Sequence, residues 1–418
     1  MSGHKSVIMA NGYIKFVAIL IIATFALIRF VNIQADFPKM YTDGGFIFTD
    51  EGWYCNAAIA KINTGKWTGK GFQSIPVIPV NHIIQYCTMS IFGISAATTR
   101  ATVSVFFILF LLTMFLICRK MFDSKSAIIA LVPIATSAYL MAYSRVALLE
   151  IEMMFFVSVA VLSAMHKKTA VAVFMTLIAL LVKPTAMFCV VPIAYLFWEN
   201  KKQAITYISL SVIIYAMYIF AVKSSYPEAF SLFFASNVSG RAKISVLRSI
   251  QNISTFDVSM FSLALMSILT VSKKSIFACL LILFSVAMIG MNGYQPNRYF
   301  AILVIPFALL IAEGASKFGN RNRFALTVII VSVVFNLSAV VAVMSTNNTM
   351  ERYCNSIRSM NDLGPLGATI DMFNGGKGLK PCFTARKIDL VSARKFKAIS
   401  VKETFVYGQK IVLLEGGN

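Results

Sequence analysis

Two adjacent carboxylates, Asp50 and Glu51, follow the first long apolar segment of the chain, in the stretch TDEGWYCNAAIAKINTGKW. The apolar residues after them recur at helical spacing, which predicts an amphipathic helix lying on a membrane surface. Carboxylates in the first turn of a helix interact favourably with its dipole, so a structural role is one interpretation. The other interpretation is catalytic, because a carboxylate at the bilayer surface can act as the general base for a substrate hydroxyl.

A second group of charges stands where a later apolar segment begins, in SRVALLEIEMMFF. It consists of Arg145, Glu150 and Glu152. A charge at the centre of a membrane helix costs at least about 2.5 kcal/mol, and less near the end of the helix, so a charge inside a membrane helix indicates a function. We favour a functional role for Arg145 and Glu150, and we interpret Glu152 as an ordinary interfacial carboxylate.

The candidate cations also lie at the ends of apolar segments. Lys183 precedes a proline in the otherwise uncharged TLIALLVKPTAMFCVVPI, and Arg298 lies in the turn NRYF. A proline ends a helix, so Lys183 either offers an ammonium at the membrane boundary or belongs to an ordinary tight turn between two spans. A polar loop earlier in the chain supplies Arg241 and Lys243. Cations and carboxylates on one face would bind a lipid phosphate and activate a nucleophile.

The composition shows which elements must position these residues. Of the 418 residues, 58% are apolar and 13% are charged, against roughly 45–50% and 25% in soluble proteins. The apolar residues form blocks long enough to cross a bilayer, which excludes a soluble enzyme. The net charge of +21 favours contact with anionic headgroups over nucleic acid, and seven cysteines make no disulfide scaffold.

The apolar runs predict an all-α polytopic membrane protein with about eleven transmembrane helices. The first run has no small-residue cleavage site after it, so we interpret it as an uncleaved span rather than a signal peptide. The predicted spans are 14–33, 99–118, 126–143, 151–165, 169–182, 185–198, 204–222, 258–272, 275–291, 299–315 and 324–344.

The distribution of basic residues predicts the orientation. With a cytoplasmic N-terminus, strict alternation of the spans puts every short basic cluster on the cytoplasmic side. These clusters contain Arg119, Lys120, Lys125, His166, Lys167, Lys168, Lys201, Lys202, Lys273, Lys274, Lys317, Arg321 and Arg323. The first loop, 34–98, and the candidate site residues then face outward. Segment 75–92 is broken by two prolines, so we predict a helix at the outer interface rather than a span.

We divide the chain into a transmembrane module, 1–344, and a small periplasmic C-terminal segment of mixed α/β structure, 345–418. Residues 403–414, ETFVYGQKIVLL, are typical of a strand or a hairpin, and 371–381 of a turn-rich loop. Cys354 and Cys382 could pair in an oxidising compartment or stay as two free thiols.

Searches for other chemistry find little. The sequence has no glycine-rich phosphate loop, no HExxH, no CxxC and no GxSxG. His82 is the one histidine predicted on the outer face, so we predict no histidine-based metal site and no cofactor, and we interpret His82 as interfacial filler. The sequence leaves a requirement for a divalent metal open.

The stretch DEGWYCNAAIAKINTGKW resembles the first outer loop of the GT-C membrane glycosyltransferases, in the branch that contains protein O-mannosyltransferases and aminoarabinose transferases of lipid A. Further similar stretches follow in the same order, over about residues 15–200 and again at Arg298. They are FGISAATTRATVSVFF, LICRKMFDSKSAIIALV, SRVALLEIEMMFF, LVKPTAMFCVVPI and NRYFAILVIPFALL.

This resemblance implies a GT-C-like fold and an enzyme that takes a sugar from a polyprenyl phosphate at the outer leaflet. Asp50 would be the base for the acceptor hydroxyl, Glu51 would position substrate, and Glu150 would be the second acidic residue, which is usually Asp in relatives. The residues implied for the carrier phosphate are Lys183, Arg145 and Arg298. The chain has PVIPVNHI where relatives have an HPPL-like stretch, and its tail is shorter than that of the larger relatives.

We therefore predict an inverting glycosyltransferase of the bacterial inner membrane, with an undecaprenyl-phosphate sugar as donor and a surface glycan such as O-antigen or lipid A as acceptor. Its partners would be the donor, the acceptor and membrane lipids. One alternative is an O-antigen polymerase, which would lack the carboxylate pair directly after the first span. Another is a flippase or transporter, which would place charges near the bilayer midplane.

Overall fold

The computed structural model describes residues 2–35, 47–67, 75–231, 257–291, 297–318, 321–344, 383–386, 398–406 and 409–416. Within these ranges the chain forms a helical bundle, followed in sequence by a small antiparallel sheet. The helices are α1 (Ser2–Leu27), α2 (Ile47–Thr64), α3 (Pro79–Phe92), α4 (Ala96–Met121), α5 (Ser124–Thr136), α6 (Ala138–Tyr143), α7 (Leu149–Met165), α8 (Thr169–Val182), α9 (Val190–Tyr195), α10 (Lys201–Ser225), α11 (Pro227–Phe230), α12 (Val258–Ser267), α13 (Ile276–Met291), α14 (Val304–Lys317) and α15 (Arg321–Met344).

Every predicted apolar span contains at least part of one of these helices, which confirms an all-α polytopic architecture for the bundle. Four stretches are long and apolar enough to cross a membrane by length and composition. They are Gly12–Phe30, Ala96–Met121, Lys201–Ser225 and Arg298–Lys317. Most of the remaining apolar helices are shorter than an isolated span requires, so the number of spans stays a prediction.

One predicted span is interrupted, and two others meet, at points where the sequence supplies a cause. Pro133 lies inside α5, and the helix ends at Thr136; the hydroxyl of Ser137 then accepts a hydrogen bond from the Leu140 amide at 3.1 Å and caps α6. Lys183 has an extended backbone after α8, and Pro184 opens a 3₁₀ turn. Broken helices of this kind are tolerated where neighbouring protein satisfies the freed backbone groups.

The outer surface of the bundle is apolar, as expected of a protein solvated by lipid. On α10 the large side chains that point away from the protein are Ile205, Ile213, Met217 and Phe220, which are between 54% and 72% exposed. So much exposed apolar surface along one helix would be an aggregation hazard in water. The helix is instead suited to acyl chains.

Helix α3 has its polar side turned inward. Asn81, His82 and Gln85 are buried, whereas Ile83 and Ile91 are exposed. With 14 residues, α3 is about 21 Å long, too short to span a bilayer core of about 30 Å. Burial lowers the pKa of His82 to about 3, so its imidazole is neutral and sits in the protein interior rather than at the interface that we predicted.

Several predicted basic clusters meet at one end of the bundle. Lys167, between α7 and α8, donates to the Leu196 carbonyl at 2.8 Å and pairs with Glu199 at 3.1 Å, after α9. At the start of α5, Lys125 contacts Asn322 of α15. Arg100 and Lys120, near opposite ends of α4, are about 30 Å apart. The basic clusters therefore lie a membrane's width away from the end that holds Arg100.

The described part of the tail contains three strands, β1 (Phe383–Arg386), β2 (Ala398–Val406) and β3 (Gln409–Gly416), in the order β1-β3-β2. Both pairings are antiparallel, and β2 and β3 form a hairpin in which Val406 pairs with Gln409. The hairpin predicted within 403–414 is thus present. Cys354, Cys382 and the predicted loop 371–381 lie outside the described residues, and the division at residue 344 stays a prediction.

Gly314 lets α14 pack closely against α12 and α15. A Cβ at this position would lie 2.6 Å from Ser267 Oγ and 3.0 Å from the Phe324 ring. Since Ser267 Oγ donates to the Leu263 carbonyl at 2.8 Å, it cannot move without losing that bond. We expect Gly314→Ala to destabilise the protein by about 1–3 kcal/mol through overpacking, measured as a lower melting temperature in detergent.

Gly12→Ala is the matched control for this prediction. Gly12 also lies in a helix, α1, but nothing stands within 4 Å of its Cβ position. Both substitutions gain the same helix propensity. Equal melting temperatures for the two variants would contradict the packing role of Gly314.

Candidate active site

Three charged residues from distant parts of the chain meet at the end of the bundle opposite the basic clusters. Asp50 lies in the first turn of α2, Glu150 in the first turn of α7, and Arg298 in the 3₁₀ turn before α14. Arg298 Nη1 donates to Asp50 Oδ2 at 2.5 Å, and its Nε lies 3.4 Å from Glu150 Oε1. One guanidinium therefore bridges the two carboxylates.

Lys183 completes this group from the break between α8 and α9. Its ammonium donates to Glu150 Oε1 and lies 4.4 Å from the centre of the Tyr299 ring, a cation–π contact. We call Asp50, Glu150, Lys183 and Arg298 the ion-pair cluster. Burial lowers the pKa of Lys183 to about 8, although the nearby Glu150 carboxylate opposes this shift.

The cluster is buried but incompletely satisfied. The side chains of Asp50, Arg298, Lys183 and Glu150 are 14%, 10%, 7% and 2% exposed, so Asp50 is the member most open to a substrate. Among the described residues, Glu150 Oε2 and Arg298 Nε have no hydrogen-bond partner. Buried charged groups normally have such partners, so these atoms indicate space for a polar ligand. A cavity of about 10 Å³, room for roughly one water molecule, adjoins the cluster between Met153, Thr185 and Ile302.

Glu51, adjacent to Asp50 in sequence, faces a different environment. Both of its oxygens accept from Arg100 of α4, at 2.9 and 2.7 Å, and both side chains are fully buried. Glu51 Oε1 also accepts from the Ala147 amide at 2.8 Å. The bidentate pair joins α2 to α4 and to the turn before α7. We predicted that Glu51 positions substrate; these contacts make it a residue that fixes the helix carrying Asp50.

Arg145 lies close to this network but contacts the chain rather than the cluster. Its Nη2 donates to the carbonyls of Val31 and Asn32, at 2.7 and 2.5 Å, where the first span ends. The side chain is 5% exposed, and its Nε has no hydrogen-bond partner. If Arg145 binds a phosphate, as we predicted, it would do so through the Nε side of its guanidinium.

The turn that carries Arg145 is held by a second buried arginine. Arg29 donates through Nε to Ser144 Oγ at 2.8 Å and through Nη2 to the Ala135 carbonyl at 3.0 Å. Its guanidinium also lies over the Phe107 ring. These contacts fix the turn between α6 and α7, and so fix where α7 presents Glu150.

Glu152 does not occupy the interfacial position that we predicted. Residues two apart on a helix point about 200° away from each other, so Glu152 faces away from the ion-pair cluster and towards Gln85 of α3. It is fully buried. The prediction assumed that a carboxylate near the end of a membrane helix stays at the surface; the contact with Gln85 of α3 was not predicted.

Three other residues near the site were given no role in the sequence analysis. Arg100 and Tyr299 lie in the stretches TTRAT and NRYF, which resemble GT-C sequences, so the signal was present but no role was assigned. Arg29 had no such signal beyond being a charge at the end of an apolar segment. The predicted residues Arg241 and Lys243 lie outside the described residues.

The described residues include no group of three His, Cys, Asp or Glu side chains that could hold a metal ion. The acidic residues of the ion-pair cluster are Asp50 and Glu150, and each already pairs with a cation. Two paired carboxylates fall short of the ligand sets of Zn²⁺ or Ca²⁺. The cluster is therefore suited to an anion that can compete for its cations.

No protein-family model and no curated sequence matches the chain. Solved structures match it in their three-dimensional fold. ArnT from Cupriavidus metallidurans bound to undecaprenyl phosphate superimposes with a TM-score of 0.67 at 10% identity, covering 96% of this chain and 99% of that one. The apo state of the same protein gives 0.65 with the same identity and coverage.

A third similar structure is the apo oligosaccharyltransferase of Archaeoglobus fulgidus, with a TM-score of 0.51 at 13% identity, covering 83% of this chain and 58% of that one. At these identities the similarity concerns the fold. ArnT is a GT-C transferase, and the match extends over nearly the whole of both chains. The chain has the fold of the GT-C polytopic membrane proteins.

Proposed function

We propose that this protein is a membrane glycosyltransferase that moves a sugar from a polyprenyl phosphate, most simply undecaprenyl phosphate, to a hydroxyl of a surface glycan such as O-antigen or lipid A. The observation that carries the proposal is the ion-pair cluster, in which Arg298 and Lys183 meet Asp50 and Glu150 at one end of the bundle. Cations beside a general base are what transfer from a phosphate carrier requires.

The reaction is a single displacement at the anomeric carbon. The acceptor oxygen forms a bond to that carbon, the bond from the carbon to the carrier phosphate breaks, and its electron pair leaves with the phosphate. Asp50 takes the proton of the acceptor hydroxyl, and Lys183 and Arg298 stabilise the charge that develops on the phosphate. Attack from the side opposite the phosphate would invert the anomeric configuration.

The donor is supported by the fold and by the chemistry of the cluster. ArnT has been solved with undecaprenyl phosphate, and in this chain the buried cations lie next to a cavity with apolar walls, including Met153 and Ile302. The charged end and the apolar walls match the two parts of a lipid phosphate, and the cavity would have to widen to admit one.

The location of the reaction follows from the orientation that we predicted. Basic clusters lie at the end of the bundle opposite the ion-pair cluster, as the contacts of Lys167 and Lys125 indicate. Under the positive-inside rule that end is cytoplasmic. The ion-pair cluster would then open on the periplasmic side of the bacterial inner membrane, with a cytoplasmic N-terminus and a periplasmic C-terminus.

Mass spectrometry of surface glycans, with and without the gene, tests the proposed function. We expect the glycan to gain one sugar per repeat, or one sugar on the lipid core, when the gene is present. If the protein were a polymerase, loss of the gene would instead change the number of repeats. If it were a flippase, loss of the gene would remove the whole glycan from the surface. Either of those results, or identical glycans, would contradict the proposal.

Lys183 predicts how donor binding depends on pH. Because burial lowers its pKa to about 8, the ammonium is charged below that pH and is lost as pH rises through it. We expect the affinity for undecaprenyl phosphate to weaken above about pH 8, and Lys183→Ala to weaken it roughly 10- to 100-fold at neutral pH through loss of a charge-assisted contact. Native mass spectrometry in nanodiscs measures both.

Lys183→Arg is the matched control. A guanidinium stays charged throughout this range, so this variant should bind more weakly than the wild type only through altered geometry, and its affinity should not fall above pH 8. If wild-type binding is independent of pH, or if Lys183→Ala binds as the wild type does, Lys183 has no role in holding the phosphate.

A further inference from the structure

Within the ion-pair cluster the cations and the carboxylates pair with one another. Its two cations, Lys183 and Arg298, face its two carboxylates, Asp50 and Glu150, and each cation lies within ion-pair distance of at least one of them. The groups that would hold the donor phosphate are thus occupied by the groups that would perform catalysis. The four residues cannot all keep these partners once an anion enters the cluster.

Arg298 is the point of conflict. It donates to Asp50 Oδ2 through Nη1, while its Nε has no hydrogen-bond partner and lies 3.4 Å from Glu150. A phosphate group offers a guanidinium two oxygen acceptors at once, whereas the hydrogen bond from Arg298 to Asp50 uses one oxygen, Oδ2. An arriving phosphate therefore competes with Asp50 for Arg298 and has an unused donor to bind first.

The pairing of Lys183 with Glu150 limits the competition for Arg298 to Asp50 and the phosphate. Glu150 accepts a hydrogen bond from Lys183 through Oε1, and among the described residues its other oxygen, Oε2, has no hydrogen-bond partner. Glu150 is 2% exposed and Asp50 is 14% exposed. Of the two carboxylates, Asp50 is therefore the one that can turn away from Arg298 towards an incoming hydroxyl.

We propose that the contact between Arg298 and Asp50 is a latch that masks the base until the donor phosphate binds. While Arg298 donates to Asp50 Oδ2, that oxygen is not free to accept the proton of a substrate hydroxyl. The donor phosphate draws Arg298 away, and the freed Asp50 can then take the acceptor's proton. The order of binding is donor first and acceptor second. This inference rests on the proposed function, because it takes the donor to be a polyprenyl phosphate.

Chemical labelling of Asp50 in the full-length protein tests the latch. The protein is placed in nanodiscs and treated with a water-soluble carbodiimide and an amine, and the modified carboxylates are quantified by peptide mass spectrometry. We expect Asp50 labelling to rise several-fold when undecaprenyl phosphate is bound. Undecaprenol, which has the same chain without the phosphate, should cause no rise.

Two variants test the contact between Arg298 and Asp50 directly. Arg298→Gln removes the partner of Asp50, so labelling should be high without lipid and should not rise further when lipid is added. Arg119→Gln removes an exposed arginine in the last turn of α4, at the far end of the bundle, and should label as the wild type does. If Arg298→Gln misfolds, the comparison of the two lipids in the wild-type protein still decides the question.

The possible outcomes separate the latch from the proposed function. If undecaprenyl phosphate binds, as measured by native mass spectrometry, and Asp50 labelling stays unchanged, the latch is wrong and the donor assignment stands. If undecaprenyl phosphate does not bind, both are wrong. Binding together with a rise that undecaprenol does not reproduce supports the latch.

Discussion

Asp50→Asn should reduce sugar transfer by roughly 10²- to 10⁴-fold, the usual contribution of a general base. Asparagine has nearly the same shape and its amide oxygen can still accept from Arg298, so the ion-pair cluster should keep its geometry. What it loses is the ability to take a proton from the acceptor hydroxyl. The surface glycan of cells that carry this variant should lack the added sugar in mass spectra, at wild-type protein levels in the membrane.

Glu199→Gln is the matched control for Asp50→Asn. Glu199 is also a carboxylate paired with a cation, Lys167 at 3.1 Å, but its side chain is 88% exposed and lies at the opposite end of the bundle. Exposed pairs of this kind contribute little, so this variant should transfer sugar as the wild type does. Transfer by Asp50→Asn at the wild-type rate would reject Asp50 as the base.

The difference between Asp50 and Glu51 explains why adjacent residues of one type have separate tasks. Successive residues on a helix point about 100° apart, so Asp50 reaches Arg298 while Glu51 reaches Arg100 inside the bundle. One carboxylate belongs to the ion-pair cluster and the other fixes the helix. The resemblance implied separate roles for Asp50 and Glu51, but not the pairing of Glu51 with Arg100.

Much of the fold could be predicted because each span leaves a signal in its own stretch of the sequence. Apolar runs, a proline after Lys183 and basic loops each reflect the bilayer at the residue concerned. The convergence of Asp50, Glu150, Lys183 and Arg298 could be predicted for the same reason, since the ends of alternating helices must return to the same side of the membrane.

The partners of these residues could not be predicted, because pairing between distant segments leaves no local signal. Nothing in TTRAT indicates that Arg100 binds a carboxylate 49 residues earlier in the chain. Helix α3 misled prediction in another way. It turns Gln85 and His82 inward and Ile91 outward, the reverse of an amphipathic helix lying against water.

Arg100→Met should be the most destabilising substitution at the site. It leaves the Glu51 carboxylate fully buried without its cation, and breaking a buried ion pair by removing one partner costs about 3–5 kcal/mol. It also removes the donors to the Ile33 and Ala35 carbonyls, at 3.0 and 2.8 Å, which fix the chain after the first span. We expect a large fall in the melting temperature in detergent.

The double variant Glu51→Gln with Arg100→Met separates ion pairing from packing. Glutamine removes the uncompensated charge and can still accept from the Ala147 amide, so the double variant should be more stable than Arg100→Met alone. Such a rescue is the non-additivity expected of two residues in contact. Additive losses would mean that Arg100 acts through the carbonyls of Ile33 and Ala35 and not through Glu51. Because Glu51 lies beside Asp50 on α2, the pair whose coupling is measured in this way also helps to fix the helix that carries Asp50.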